Sequence, residues 1–227
     1  MTESNTIPDE VAGRGPDPFQ LPEGMFFGHG EETAGIVCPG PSLRDPKTQR
    51  LILQDQPRTL WAVNGAILAP LFPFHEWVVS DEEVFGHCIN QGIYIRPDVT
   101  LWHPARWDVG LAGRHELNIP FSQWYNRLAF YPDSNASFCA WAGLKAFPEE
   151  INWRESTFLI SIGLAIGTGA RRIYLYGADM SGRGYFRKGL ENSRTIHTEA
   201  RWEQERLQLA MITTAALDQG ITIVHRR

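Results

Sequence analysis

Residues 155–177 constrain the fold more than any other stretch of the chain. "ESTFLISIGLAIGTG" (155–169) follows a helical pattern with apolar side chains nearly all the way round, so a helix there has no face to offer water and must be buried. "RIYLYG" (172–177) then reads as a strong strand that ends in glycine. A helix covered on all sides and followed directly by a strand needs a sheet to lie on, with further elements closing over it.

The remaining pattern supplies that sheet. "AGIVC" (34–38), "TLWAV" (59–63), "EWVVS" (76–80) and "VTLW" (99–102) read as strands, each bounded by turn formers. Between the first two, "LRDPKTQRLILQ" supplies a short helix whose start is limited by Pro46. Near the end, "TEARWEQERLQLAMITTAALDQG" carries Trp202, Leu209, Ile212 and Ala216 at helical spacing. Glu199 lies in its first turn and Gly220 just past its end, and "ITIV" (221–224) returns as a last strand. This order predicts an α/β fold: a Rossmann-like, doubly wound, mostly parallel sheet covered on both faces, in a single domain over 25–227. Residues 104–150, rich in Trp and Pro and weakly patterned, read as an irregular insertion or lid. Residues 1–24, polar and rich in Pro and Gly, read as a flexible N-terminal arm that orders only against a partner.

Composition narrows the function classes. The chain has 227 residues, 43% hydrophobic and 21% charged, with a formal charge of −5. Such a charge argues against a protein that grips nucleic acid mainly through phosphates. Cys38, Cys88 and Cys139 show no CxxC spacing, which points to reduced thiols in a cytoplasmic protein rather than a zinc site. No apolar run approaches a membrane span, and the N-terminus lacks a signal-peptide layout. A homo-oligomer is left open. The eight tryptophans are divided between core and a pocket or interface.

In a doubly wound sheet, ligands bind at the carboxyl ends of the strands, and several polar residues fall there. After the first strand come Gly40, Pro41 and Ser42, where glycine lets a ligand approach the backbone and Ser42 offers a hydroxyl and an N–H near a helix start. Asn64 ends the second strand with an amide suited to a base or ribose. Ser80 and Asp81 end the third, and Gly177 and Asp179 end the strand at 172–177. Taken singly, each is a turn; taken together, they converge on one edge. His197 sits just before the long last helix, where the dipole favours the neutral imidazole that a general base requires. His75, His87, His103 and His115 read as structural. There is no Asp-x-Asp pair, no G-x-S-x-G and no Walker pattern. Asp81-Glu82-Glu83 is the one acidic cluster near the ligand edge, and it reads as a solvated turn or, less simply, as oxygen ligands for a hard cation.

These residues resemble a known group. "GIVCPGPSL" (35–43) is similar to the first strand and nucleotide loop of the bacterial family 42 sialyltransferases, within a wider Gly-Pro-Ser-Leu group that includes archaeal 6-hydroxymethylpterin diphosphokinases. "STFLISIGLAIGTGARRIYLYGAD" (156–179) resembles the sialyltransferase segment from a Thr-Ser pair through a helix to a strand ending in Gly-Ile-Asp. "IHTEARWEQERLQLAMITTAALDQGITIV" (196–224) resembles their catalytic-histidine loop, last helix and last strand. The resemblance implies that Gly40 and Ser42 cradle a donor nucleotide, that Asn64, Ser156 and Thr157 contact it, and that Asp179 ends the late strand as in the family. It implies that His197 deprotonates an acceptor hydroxyl and that Tyr185 assists the leaving phosphate, without a metal. The family's asparagine before Gly-Pro-Ser-Leu is Pro39 here, and the first of two family tyrosines aligns with Ser181.

The expected function is therefore metal-independent transfer of a sugar from a nucleotide-activated donor to a hydroxyl acceptor of unknown identity, with no cofactor. Arg183, Arg187 and Lys188 could close over the donor phosphate. A Mg²⁺-dependent diphosphokinase, using Asp81 and Glu82, is one alternative. Another is a non-enzymatic nucleotide-binding or structural protein, and stand-alone relatives in phage and prophage genomes make a viral role part of the expectation.

Overall fold

The computed structural model describes residues 32–69, 73–91, 99–104, 128–181, 185 and 198–226. The 1–24 arm and residues 105–127 of the expected insertion lie outside the described residues.

The strands are β1 (Glu32–Val37), β2 (Thr59–Val63), β3 (Glu76–Val78), β4 (Thr100–Pro104), β5 (Leu128–Tyr131), β6 (Ala170–Tyr176) and β7 (Thr222–Arg226). The helices are α1 (Pro46–Asp55), α2 (Glu82–Asn90), α3 (Asn135–Trp141), α4 (Thr157–Gly167) and α5 (Glu199–Asp218). All strands join one parallel sheet in the order β5-β4-β3-β2-β1-β6-β7. The chain builds outward from β1 to β5, then returns to the far side of β1 with β6. This reversal puts the topological switch point of the sheet at the carboxyl ends of β1 and β6.

Alternation along each strand divides the core in two. Ile36, Trp61, Val63 and Trp102 face α3, α4 and α5, packing with Phe138, Leu159 and Ile212. Val37, Leu60, Ala62, Trp77 and Leu101 face α1 and α2, packing with Ile52, Val84 and Phe85. Period-2 side-chain placement makes one strand serve both layers. α4 is buried along most of its length, as its apolar periodicity requires, and lies over β1, β2 and β3. Trp61, Trp77, Trp102 and Trp153 are among the largest fully buried side chains, so aromatic mass goes chiefly to the core.

Local chemistry starts the helices where they start. Asp45 accepts from the Lys47 N–H (2.8 Å) with Pro46 in the first turn of α1, and Thr198 accepts from the Arg201 N–H (3.3 Å) at α5. Within 104–150, Leu128–Tyr131 is the edge strand of the sheet and the Tyr131 hydroxyl donates to the Val79 carbonyl (3.1 Å). α3 follows it onto the same layer. At the other edge, buried Asp55 at the end of α1 holds the Arg226 guanidinium of β7 and accepts from the Tyr176 hydroxyl (2.8 Å). No helix among the described residues is long and apolar enough to cross a membrane.

His103, at the end of β4, is buried, with Nδ1 against the Pro104 carbonyl (3.0 Å) and its ring edge-on to Phe130. Burial pushes its pKa down from 6.5 to about 4. The unfolded chain therefore binds a proton at higher pH than the folded one, and stability is lost as pH falls from 6.5 towards 4. The loss is about 1.4 kcal/mol per pH unit within that window. Urea titrations of wild type and His103→Gln across pH 4–7 should show a shallower acid-side fall in the variant; parallel curves would refute the assignment.

Candidate functional site

The path of the chain after β1 is set by a crossing of two loops. The Cys38 N–H donates to the Tyr176 carbonyl (2.8 Å), the Gly40 N–H to the Gly177 carbonyl (2.9 Å) and the Leu43 N–H to the Gly40 carbonyl (3.1 Å). The Ser42 N–H donates to Asp179 Oδ2 (2.8 Å). Pro39 and Pro41 have no N–H to give. Every backbone donor from Cys38 to Leu43 is thus committed within the protein. A Cβ on Gly40 would run into the Gly177 carbonyl and the Asp179 carboxylate, and one on Gly177 (φ 64°) into the Cys38 carbonyl. The glycines are needed so that two strand ends can touch. The expected phosphate cradle of Gly40 and Ser42 N–H groups is not what this loop presents, because carbonyls and a carboxylate already hold those donors.

Above the crossing lies a cleft of about 310 Å³. Gly40, Pro41, Asn64, Ser80, Asp81, Ser156, Thr157, Gly177, Asp179 and Tyr185 all line it. The convergence read from the strand ends is therefore present as one cavity. Ser42 is not among its lining residues, its N–H being turned to Asp179. His197, Arg183, Arg187 and Lys188 lie outside the described residues.

The wall formed by β2, β3 and α4 is polar and connected. Asn64 has φ 48°, and its carbonyl accepts from Trp77 Nε1 (2.9 Å). Its side-chain amide donates to Thr157 Oγ1 (3.1 Å), which is in turn hydrogen-bonded to Ser80 Oγ. Asn64 Oδ1, Ser156 Oγ, and Nε and Nη1 of Arg154 are buried without a partner among the described residues. Ser156 is also the N-cap of α4 and makes no side-chain cap bond, and with Thr157 and Phe158 it brings the N-terminus of that helix to the cleft. Arg154 is otherwise held by Asp133 (3.5 Å) and by stacking on the Tyr131 ring (5.0 Å). Asp81 has a structural duty: it caps α2, accepting from the N–H groups of Glu83 (2.9 Å) and Val84 (3.4 Å). Among the described residues, no three His, Cys, Asp or Glu side chains gather as a metal site would need.

The opposite wall holds residues that motif reading passes over. Arg201, Trp202 and Glu205 of α5 line the cleft, as does Arg154. Glu205 is only 3% exposed. Burial pushes its carboxyl pKa up, partly offset by Arg201, whose Nε lies 3.4 Å from Oε1. The signal was in the helical stripe: Glu205 falls between Trp202 and Leu209, at a position where the spacing calls for an apolar side chain. Burial, with Glu205 and Asp179 nearby, drives the Cys38 thiol far up, so Cys38 is a neutral part of the floor and not a nucleophile.

The arrangement is that of a Rossmann-like α/β protein with a polar cleft at its topological switch point. Its fold is glycosyltransferase-like. The chain is similar to the sialyltransferase CST-II bound to a trisaccharide acceptor and CMP, at 14% identity, 86% coverage of this chain and 80% of that one, with a TM-score of 0.50. It is similar to a variant of the same enzyme bound to CMP, at 16% identity, 86% and 81% coverage and a TM-score of 0.52. A MAf glycosyltransferase from Magnetospirillum magneticum AMB-1 aligns at 13% identity over 74% of this chain and 26% of that one, with a TM-score of 0.47; the chain spans about a quarter of that protein. No protein-family model matches the sequence, and no curated protein matches it.

If the crossing holds the loop, Asp179→Ala should lower the unfolding free energy by about 1.5–3 kcal/mol, the worth of a hydrogen bond to a charged group. Ser42→Ala, which keeps the N–H, should stay within about 0.5 kcal/mol of wild type. Equal losses in chemical denaturation would contradict the crossing as the source of rigidity.

Proposed function

We propose that this protein binds a nucleotide-activated sugar along the carboxyl edge of its sheet and transfers the sugar to a hydroxyl acceptor, as a metal-independent glycosyltransferase. The observation that carries the reading is the set of buried polar atoms without partners on the α4 wall. Arg154 Nε and Nη1 and Ser156 Oγ are donors beside a helix N-terminus, and Asn64 Oδ1 is an acceptor facing the same cavity. Buried donors left unpaired cost free energy until an acceptor arrives, and a phosphate supplies both charge and oxygens. A ribose hydroxyl or a base amine satisfies Asn64. The two sialyltransferase structures that share the fold contain CMP, which supports a nucleotide as occupant.

In this reading the acceptor oxygen bonds to the anomeric carbon while its proton passes to His197, the residue before the α5 cap. The bond from that carbon to the donor phosphate breaks, and its electron pair leaves on the phosphate oxygen. Arg154, Ser156 and the α4 N-terminus stabilise the charge that develops there, and Tyr185, on the cleft wall, donates to it. Gly40, Pro41, Gly177 and Asp179 shape the floor, Ser42 acts through its bond to Asp179, and Ser80 and Thr157 orient Asn64. Reduced cysteines agree with a cytoplasmic setting; Cys38, Cys88 and Cys139 are all free thiols.

The test is a thermal-shift and titration panel with CMP, UDP, GDP and ATP, each with Mg²⁺ and with EDTA. One nucleotide should bind equally well in EDTA, and Arg154→Gln should weaken it at least about 10-fold, or about 1.4 kcal/mol. His197→Ala should keep that affinity and lose transfer of the sugar. Binding of ATP alone, and only with Mg²⁺, would replace this reading with pyrophosphate transfer. No binding by any nucleotide would leave a non-catalytic role.

A further inference from the structure

We propose that the α5 wall of the cleft is a subsite for a neutral, hydroxyl-bearing sugar ring, which lies against Trp202 while Glu205 Oε2 accepts a hydrogen bond from one of its hydroxyls. The inference rests on the nucleotide-sugar reading above and names the class of sugar.

Three observations carry it. First, Glu205 occupies a core position. It is 3% exposed, on the stripe that runs through Trp202, Leu209, Ile212 and Ala216, where leucine would fill the space at no electrostatic cost. Second, the protein under-serves this carboxyl. Its donor among the described residues is Arg201 Nε, 3.4 Å from Oε1, longer than the 2.7–2.9 Å of a strong charge-assisted bond. An ionised carboxyl has about four acceptor sites, and Glu205 lines the cleft, so its second oxygen is available to a ligand. Third, the wall is fixed in place. Arg206 Nη1 donates to the Met180 carbonyl (2.9 Å) beyond β6, and Arg201 Nη2 reaches the Glu155 carbonyl (3.4 Å) ahead of α4. Those two ties set the α5 wall at a constant distance from the wall assigned to the nucleotide.

The side chains also select the kind of sugar. A partly buried indole on the cleft lining, one turn from a carboxyl, gives a pyranose an apolar surface for its C–H face and an acceptor for its O–H groups. Around Glu205 stand Arg201 on its own helix, Glu155 on the segment leading to α4 and the neutral Cys38 thiol after β1, which Asp179 also approaches. Arg201 is already engaged by the Glu205 carboxyl and the Glu155 backbone carbonyl. A sugar carrying its own carboxylate would meet Glu205 and Glu155 with no further cation among the described residues of α5 lining this wall, and like charges disfavour it.

The experiment compares bare nucleotides with their sugar conjugates in calorimetric titrations: UDP against UDP-glucose and UDP-glucuronic acid, GDP against GDP-mannose, and CMP against CMP-sialic acid. One neutral-sugar conjugate should bind about 10-fold tighter than its own nucleotide. Glu205→Leu, which suits a buried helix stripe and should fold, is expected to erase that gain while leaving affinity for the bare nucleotide unchanged. Glu205→Gln, whose amide oxygen still accepts, should keep part of it, and Trp202→Ala should lose it. The proposal is overturned if Glu205→Leu keeps the full gain, if it weakens nucleotide and conjugate alike, or if the acidic conjugate is the one that gains. Failure of every nucleotide to bind wild type would instead remove the reading on which the proposal stands, and the proposal with it.

Discussion

The structure of the cleft depends on one short run of hydrogen bonds, in which the N–H groups of Cys38, Gly40 and Ser42 meet Tyr176, Gly177 and Asp179 in turn. Parallel strands β1 and β6 belong to distant parts of the chain, and the doubly wound order brings their ends side by side. At a switch point the chains leaving the two strands normally part and leave a gap. Here they stay joined for several residues beyond the sheet. The bonds continue the ladder into the loops, and the missing side chains at Gly40 and Gly177 let the backbones come that close. The result is a closed floor rather than an open slot, with the cleft above it.

A closed floor moves the electrostatic work elsewhere. An open glycine loop offers N–H groups to an anion; this one offers carbonyl oxygens and the flank of Asp179. Among the described residues, positive charge on the α4 side of the cleft comes from Arg154 and from the N-terminus of α4. Both are held by the core: Arg154 by the Tyr131 ring and Asp133, and α4 by burial against β1, β2 and β3. The acidic side chains are kept apart by the same design. Asp81 is turned to the α2 N–H groups, Asp179 to Ser42 and Glu205 to Arg201. The cleft therefore has a cationic wall, a carboxylate-bearing wall and a floor whose donors are committed.

The fold was legible because its signals are periodic. The apolar pattern of 155–169 has one physical outcome, and β2 falls on the residues that its run of β-formers and flanking turn formers mark. The sheet edge was harder. β5 is "LAFY", four residues with no alternation in a stretch full of Trp and Pro, and only pairing with β4 makes it a strand. Asp81-Glu82-Glu83 illustrates a different limit. An acidic run after a strand suits a cation, a solvated turn or a helix start equally, and the structure shows a cap and first turn. The strand-end residues Asn64, Ser80 and Asp179 could be placed at the cleft because topology alone puts them there. Whether the N–H of Ser42 faced a ligand or Asp179 could not be read, since that depends on a contact across 137 residues of chain. Glu205 was legible in principle, as the one charge on an apolar stripe, but a count of apolar positions passes over the residue that breaks it.

The two prolines of the loop follow from the same constraint. Pro39 and Pro41 bracket Gly40, so that only Gly40 between them has an N–H. Each proline fixes φ and removes a donor, which suits a segment whose direction is set by its neighbour and which has no donor to spare for a ligand. An asparagine at 39 would add a side-chain amide and a backbone N–H at the cleft floor, and both would need partners. With proline there, the loop contributes shape and excludes water but carries little power to distinguish one base from another. Under the proposed nucleotide-sugar reading, discrimination between bases would fall to the wall where Asn64 Oδ1 has no partner among the described residues and its amide donates to Thr157, itself bonded to Ser80. A single fixed acceptor of this kind favours a base that presents an amine or N–H at that position, and rejects one that presents a carbonyl, because the mismatch leaves two buried acceptors facing each other.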